Sequence, residues 1–329
     1  MPPLEDRSEL LFVFDATDIN PNGDPLNEDK PRMDEETGHC LISDVRLKRT
    51  VRDYLFDYKD QGIFVREVRK EDNTLATKEE FVESYGNDPE TVLEKCVDIR
   101  LFGATLAIGG AGSEQRPITF TGPVQFRMGR SLHRVGEPQF HQGNTVMPSG
   151  TQRTRGTFRD EYLLPYGLFG FYGVVNQKAG EQTKLREEDV PLMIDGLWNG
   201  TKNLITRSKV GQMPRLLVQI VYTEPYYLIG ELDKRIKVKT DLPEEELRDV
   251  SQLNLDITDL VLDLKAHKGK IKTVKVAADP RLEFFVDEDT LSASDTQASA
   301  SEEEESRLSK QQQFLRKAFG DLPYELLDL

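Results

Sequence analysis

The chain has 329 residues, of which 37% are hydrophobic and 31% charged, with a net charge of −15 and a pI near 4.9. That length allows one large or two ordinary domains. No apolar run approaches the about eighteen residues of a membrane helix, and the acidic balance taken alone argues for solubility, of the kind a salty cytoplasm favours, and against nucleic acid.

The first residues, Met1-Pro-Pro-Leu-Glu-Asp6, are acidic where a signal peptide is basic. Cys40 and Cys96 form neither a metal spacing nor a disulfide framework, so the expected setting is the reduced cytoplasm. The apolar stretch Glu9–Phe14 predicts a buried strand over 9–15. It runs into Asp15-Ala-Thr-Asp18-Ile-Asn20-Pro-Asn22-Gly23-Asp24-Pro25, which is rich in turn residues. From Asp18 the spacing fits a calcium loop, but a strand precedes it, Asp29 replaces the closing Glu, and Pro31 blocks an exit helix. A built turn is the better reading, with no metal.

Residues 44–58 predict a helix, with Leu47, Val51, Tyr54, Leu55 and Tyr58 at helical spacing. Arg46, Lys48, Arg49 and Arg52 occupy the rest of its circumference. They stand between Asp44 and Asp53 with no acid among them, so i,i+4 pairing is not expected to explain them. Strand, polar loop and basic helix in that order set backbone donors and cations at one sheet edge, which suits a phosphate chain.

Residues 60–95 are charged and mixed, and predict a helical insertion. Ile118–Leu132 alternates as a half-buried strand, 133–158 is a projecting loop or hairpin, and Tyr162–Val175 is an apolar strand. Glu187–Asp189 places negative charge at the start of a helix whose buried stripe is Val190, Ile194, Leu197 and Trp198. Arg215–Tyr222 is a further strand. The order strand, helix, strand, strand, helix, strand is the split βαβ pattern. The expected fold is therefore α+β, a modified RRM/ferredoxin-like (βαββαβ) palm with insertions. Residues 290–306 have a disordered composition, and 307–319 predict a short terminal helix.

Residues 116–159 contain Arg116, Arg127, Arg130, Arg134, Arg153, Arg155 and Arg159 against one acid, Glu137, a net of +6 in an acidic protein; His133 and His141 lie in the same stretch. Arginine throughout suits forked recognition of phosphate. Lys265, Lys268, Lys270, Lys272 and Lys275 form a second basic stretch. Such segregation predicts a polyanion path on an acidic body, with a subunit interface as the alternative. Leu168-Phe-Gly-Phe-Tyr172 partly matches the RNA-recognition core pattern, but Phe169 and Phe171 are expected in the core.

No nucleophile–base pair, zinc motif or phosphate-loop motif is present, and the expected chain has no catalytic residue and no cofactor. The alternative left open is a metal-dependent ribonuclease using Asp15, Asp18 or Asp24.

Seven blocks together carry a resemblance. They are Asn20-Pro-Asn-Gly-Asp-Pro25, Pro31-Arg32-Met-Asp34, Thr37-Gly38, Ser43-Asp-Val-Arg-Leu-Lys-Arg49, Asp98-Ile-Arg-Leu-Phe-Gly103, Thr121-Gly-Pro-Val-Gln-Phe126 and Gly129-Arg-Ser-Leu-His133. In this order they resemble the seventh CRISPR-associated (Cas) protein family, the backbone subunits of type I Cascade, closest to subtype I-B (Csh-type) with I-C near. Residues 240–329 match no motif. The resemblance implies a palm over 1–280 with a finger at about 60–115 and a thumb at about 133–158; composition and pattern add an acidic, Ser-rich, unstructured segment 281–306 and a helical tail 307–329. It implies no catalysis, and copies stacked along a CRISPR guide RNA that is presented to target DNA. The implied partners are further copies of itself, a cap subunit, a large subunit and a repeat-processing endoribonuclease, with no membrane. Carried over by position, Asn20 and Asn22 line the guide-backbone loop, and Arg46, Lys48 and Arg49 the basic helix, with Arg153 and Arg155 near the base of the thumb. Arg32, Arg52, Arg127, Arg130, His133 and Arg159 complete the expected RNA-binding set.

Overall fold

The computed structural model describes residues 2–108, 116–144, 158–292 and 309–329. The first strand is β1 (Ser8–Ile19) and the basic helix is α1 (Asp44–Lys59). Between them β2 (Gly23–Asp24), β3 (Lys30–Asp34) and β4 (His39–Ile42) fold the turn-rich segment into an antiparallel ribbon. The charged insertion supplies α2 (Lys78–Ser84), α3 (Pro89–Lys95) and α4 (Val97–Phe102), then the hairpin of β5 (Gly103–Ile108) and β6 (Arg116–Thr121).

The strand expected over 118–132 is broken into β6, β7 (Val124–Phe126) and β8 (Gly129–Ser131). Gly122 causes the first break. It lies so close to Phe102 that a Cβ would sit 2.1 Å from the Phe102 carbonyl carbon, and Pro123 cannot donate to a ladder. Of the loop or hairpin expected over 133–158, the described residues give β9 (Gln139–Asn144), antiparallel to the long β10 (Phe158–Val175), and residues 145–157 lie outside them. Then come α5 (Gln177–Thr183), α6 (Asp189–Lys202) and β11 (Met213–Tyr222).

The C-terminal part holds β12 (Lys237–Lys239), β13 (Asn254–Asp256), α7 (Thr258–Ala266), β14 (Ile271–Ala278), β15 (Glu283–Phe285), α8 (Glu288–Ser292), α9 (Lys310–Phe319) and β16 (Tyr324–Leu326). The acidic segment expected to be unstructured from 281 therefore begins with a strand and a helix. Residues 293–308 lie outside the described residues.

The main sheet runs β16-β14-β11-β1-β10-β8-β4-β3-β2, with β7 and β9 also paired to β10. β1 is its centre, antiparallel to β10 (Phe12 opposite Phe171) and to β11 (Phe12 opposite Leu217). Alternation along β1 serves two cores. Leu10, Phe12 and Phe14 pack with Val51 and Leu55 of α1 and Met193 and Leu197 of α6. Leu11 and Val13 pack with Val261 and Leu264 of α7 and Phe319 of α9. A strand covered on both faces reads as a continuous apolar run, which is why no polar alternation appears at 9–14. The result is a mixed α/β fold, a large sheet with helices on both sides.

Two local devices set the frame. Gly196 and Gly200 face α1, where added Cβ atoms would lie 2.9 Å from Val51 and 3.0 Å from Tyr54, so the two helices approach closely. The insertion has its own small core of Phe64, Val82, Val92, Leu93, Ile99 and Leu106. Tyr58, expected on the buried stripe of α1, is instead 58% exposed and stacks on Tyr54.

Candidate nucleic-acid interface

The Asn-Pro-Asn loop leaves the end of β1 and is tied to two distant segments. Ser43 caps α1, its Oγ accepting from the Arg46 N–H. Ser43 in turn donates from its N–H (2.8 Å) and its hydroxyl (2.9 Å) to Asn22 Oδ1. Asn20 is held through its backbone. Its N–H donates to the Ser208 carbonyl at 3.0 Å, and its carbonyl accepts from Lys209 Nζ at 2.5 Å. Its side-chain Nδ2 donates to the Asp29 carbonyl at 2.6 Å, and its Oδ1 is buried without a partner. Arg32 joins this corner through its N–H, which donates to the Asn22 carbonyl, and through an ion pair with Asp24 at 3.4 Å. Three segments, around residues 20, 43 and 209, are thus hydrogen-bonded into one corner at the end of the sheet.

The four cations of α1 have different fates. Lys48 is buried and donates to Asp44 (3.1 Å) and Gln125 (3.0 Å). Arg49 grips Asp53 at 2.6 and 2.8 Å. Arg52 pairs with the fully buried Asp98 at 2.9 Å. The expectation that no i,i+4 pairing serves these cations is therefore wrong. The acids bounding the run, Asp44 and Asp53, each sit four residues from a partner. The Arg46 side chain alone makes no hydrogen bond or ion pair among the described residues. Burial pulls its guanidinium below its usual value, Asp53 partly offsets this, and Arg49 adds to it. Lys209 stands close enough for Arg46 to oppose its charge, and its ammonium is pulled down to about 8, mainly by burial.

The arginines beyond the helix do not form a uniform positive path. Arg130 donates to Asp34 at 2.6 Å, Arg127 faces Glu231 and Asp233 at 3.7 and 3.6 Å, and Arg134 meets Glu245 at 3.0 Å. A groove of about 770 Å³ beside Arg32 is lined by Lys30, Arg32 and Arg134, but also by Asp24, Asp34 and Glu245. In the second basic stretch Lys268, Lys270, Lys272 and Lys275 pair with Asp321, Glu224, Asp6 and Glu325, and Lys265 donates to the Thr290 carbonyl. His133 is 1% exposed and stacked on Tyr166. Its Nδ1 donates to the Arg134 carbonyl at 2.7 Å and its Nε2 accepts from the Leu168 N–H at 3.2 Å, the pattern of a neutral ring. Burial also lowers its pKa. His133 is a strut between β8 and β10. Arg153 and Arg155 lie outside the described residues, and of Arg159 only the backbone is described, opposite Gly143.

The sequence profile described as "CRISPR-associated protein Cas7" matches residues 6–258. The chain belongs to this Cas7 family. A protein of Haloferax volcanii described as "CRISPR-associated protein Cas7" is 36% identical over 313 residues, covering 87% of this chain and 91% of that protein. Two solved chains, from structures described as "CRISPR RNA-guided surveillance complex, pre-nicking" and "CRISPR RNA-guided surveillance complex", align with TM-scores of 0.49 and 0.45 at 13% and 15% identity. Each alignment covers 85% of this chain, and 96% and 94% of the respective partner.

Several Cas7-like blocks turn out to be joints. In Asp98–Gly103, Asp98 accepts from the Phe64 and Val65 N–H groups and from Arg52. Arg100 forks onto Asp189 at 2.8 and 2.7 Å and donates to the carbonyls of Leu93 and Glu94. These two residues fasten the insertion to α1 and α6. The carboxylates of the nuclease alternative do not converge. Asp15 is buried against Arg215 at 2.9 Å with its pKa raised mainly by burial, Asp18 is exposed, and Asp24 faces Arg32. Among the described residues no group of three or more His, Cys, Asp or Glu is placed to hold a metal ion. None of the helices among them is long and apolar enough to cross a membrane.

Sequence reasoning missed Lys209. Its only signal was a lysine in the polar turn after α6, and nothing local connects it to residue 20. As expected, Phe169 and Phe171 are core, both fully buried.

Proposed function

We propose that this Cas7-family chain is a non-catalytic backbone subunit of a type I Cascade complex, of subtype I-B. In this reading copies assemble along a CRISPR guide RNA, hold its phosphates and riboses, and leave the base edges free to pair with target DNA. The main sheet is an RRM-like palm, the segment at about 60–115 its finger and the hairpin at 133–158 its thumb. Other Cascade subunits, among them the cap, large and repeat-processing subunits, complete the assembly.

The observation that carries the reading is Arg46. It is a half-buried arginine without a carboxylate partner among the described residues, set by the Ser43 cap beside the Asn20–Asn22 loop. An arginine desolvated in this way is poised for an anion. Cover on both sheet faces favours backbone recognition over base stacking on the sheet, which suits a guide of any sequence. Arg32, Arg49, Arg127 and Arg130 contribute by exchanging exposed acidic partners for phosphate, because such surface pairs are worth only about 0–1 kcal/mol. Lys48, Arg52 and His133 support the fold behind them.

Binding of unrelated single-stranded RNAs across a salt series tests this. Arg46→Glu is expected to lower affinity for every sequence alike and to reduce the salt slope by about 0.7 for each phosphate no longer neutralised. Arg49→Glu costs less, because Arg49 first has to leave Asp53. A folded Arg46→Glu variant with the wild-type affinity and slope would sink the proposal.

A further inference from the structure

The corner at the end of β1 brings together two cations that no carboxylate among the described residues neutralises. Lys209 is fixed by a reciprocal grip, since Asn20 donates to the neighbouring Ser208 carbonyl while Lys209 Nζ donates back to the Asn20 carbonyl. That bond uses one of three ammonium donors. The charged groups facing Lys209 are Arg46 from α1 and Asp29 from the turn between β2 and β3. Neither closes an ion pair with it. The next cation on the same turn, Arg207, is already paired with Glu161 of β10. Holding an arginine and a lysine together, partly out of water and without a carboxylate, is unfavourable for the empty protein. An anion seated between them reverses the sign of that interaction.

We propose that Lys209 and Arg46 form a phosphate-binding subsite, bound by a phosphodiester oxygen. This rests on the RNA-binding reading above and adds a residue and a linkage to it. Phosphate is the fitting ligand because the subsite offers forked guanidinium donors beside a point-charge ammonium. The linkage has a definite sign. The empty site holds Lys209 with its affinity for the proton depressed, and a bound anion raises it. Binding is therefore at full strength below about pH 8 and weakens above it. The two thiols do not titrate in this window, since burial pushes Cys96 up to about 11 and Cys40 up to about 12.

The test measures the affinity of the full chain for an adenylate homopolymer, whose bases do not titrate in this range, between pH 6.5 and 9.5 at constant ionic strength, for wild type, Lys209→Arg and Lys209→Gln. Wild-type affinity is expected to hold to about pH 8 and then fall by up to about tenfold per pH unit, the limit for one linked proton. Lys209→Arg, permanently charged, abolishes the fall. Lys209→Gln binds several-fold more weakly at pH 7 and is flat with pH. A Lys209→Gln variant with wild-type affinity and pH profile overturns the subsite. Inorganic pyrophosphate supplies an arm that does not depend on RNA. It is expected to raise the melting temperature of wild type and not of Lys209→Gln. If that difference appears while RNA fails to bind, the subsite stands and the RNA reading falls. Equal shifts, or none in either protein, overturn the subsite.

Discussion

At the scale of single residues, partnership separates cations that the sequence presents as equals. Four basic residues of α1 look alike in a row, yet three are committed to acids and Arg46 has no acidic partner among the described residues. The bounding acids Asp44 and Asp53 were the legible signal, because each is four positions from a cation. Lys209 was not legible, since its role depends on a contact spanning 189 residues. Its depressed ionisation also affects stability. A lysine bound less tightly to its proton in the folded state than in the unfolded one makes stability rise with pH between the two values. The urea midpoint of wild type is thus expected to rise relative to Lys209→Gln as pH goes from about 8 toward 10. His133 has the same sign at lower pH. Buried and neutral, with its pKa lowered, it costs stability as pH falls below its ordinary value of 6.5. Wild type is expected to lose more of its urea midpoint between pH 7 and 5.5 than His133→Gln does.

At the scale of elements, the strongest periodicities were readable and the shortest pieces were not. β1, α1, α6 and β11 follow from apolar runs or helical stripes long enough to set their own pattern. β12, β13, β15 and β16 have three residues each, and their pairing is decided by the core they close rather than by their own sequence. The strand expected over 118–132 failed for a steric reason, the approach of Gly122 to Phe102. The same kind of contact makes Gly129 a sharp probe. A Cβ there would meet the Phe171 ring at 2.2 Å, so Gly129→Val is expected to cost about 1–3 kcal/mol in urea unfolding. Arg100 is the key of the joint between the insertion and the sheet. Arg100→Met leaves the buried Asp189 without its partner and is expected to cost about 3–5 kcal/mol. RNA affinity of the remaining folded protein should be unchanged, because neither group lies at the corner of residues 20, 43 and 209.

At the scale of the molecule, many cations of the acidic chain are paired internally. The lysine stretch near the C-terminus illustrates this, each of residues 268, 270, 272 and 275 facing an acid from another segment. The C-terminal part, which matched no motif, covers the second face of the sheet. Glu9 fastens the loop that leads into it. Its carboxylate is fully buried and accepts from the hydroxyls of Tyr172 and Tyr222 and from the N–H groups of Ile229 (2.7 Å) and Gly230 (2.8 Å). Glu9→Ala leaves the Tyr172 and Tyr222 hydroxyls and the Gly230 N–H without their acceptor, at about 1–3 kcal/mol each before relaxation, while the Ile229 N–H keeps the Tyr222 hydroxyl, and is expected to lower the melting temperature more than any surface substitution.

The corner built from residues 20, 43 and 209 has a consequence for how the protein is made. Its three contributors leave the ribosome far apart in time, and the turn that carries Lys209 is anchored only once β11 has paired with β1. The site therefore does not exist on a nascent chain that has reached only its basic helix. The corner is completed late in synthesis, after about two thirds of the chain has emerged at the roughly 5–20 residues per second of translation. In the RNA-binding reading proposed above, an unfinished copy is thereby kept from engaging a guide.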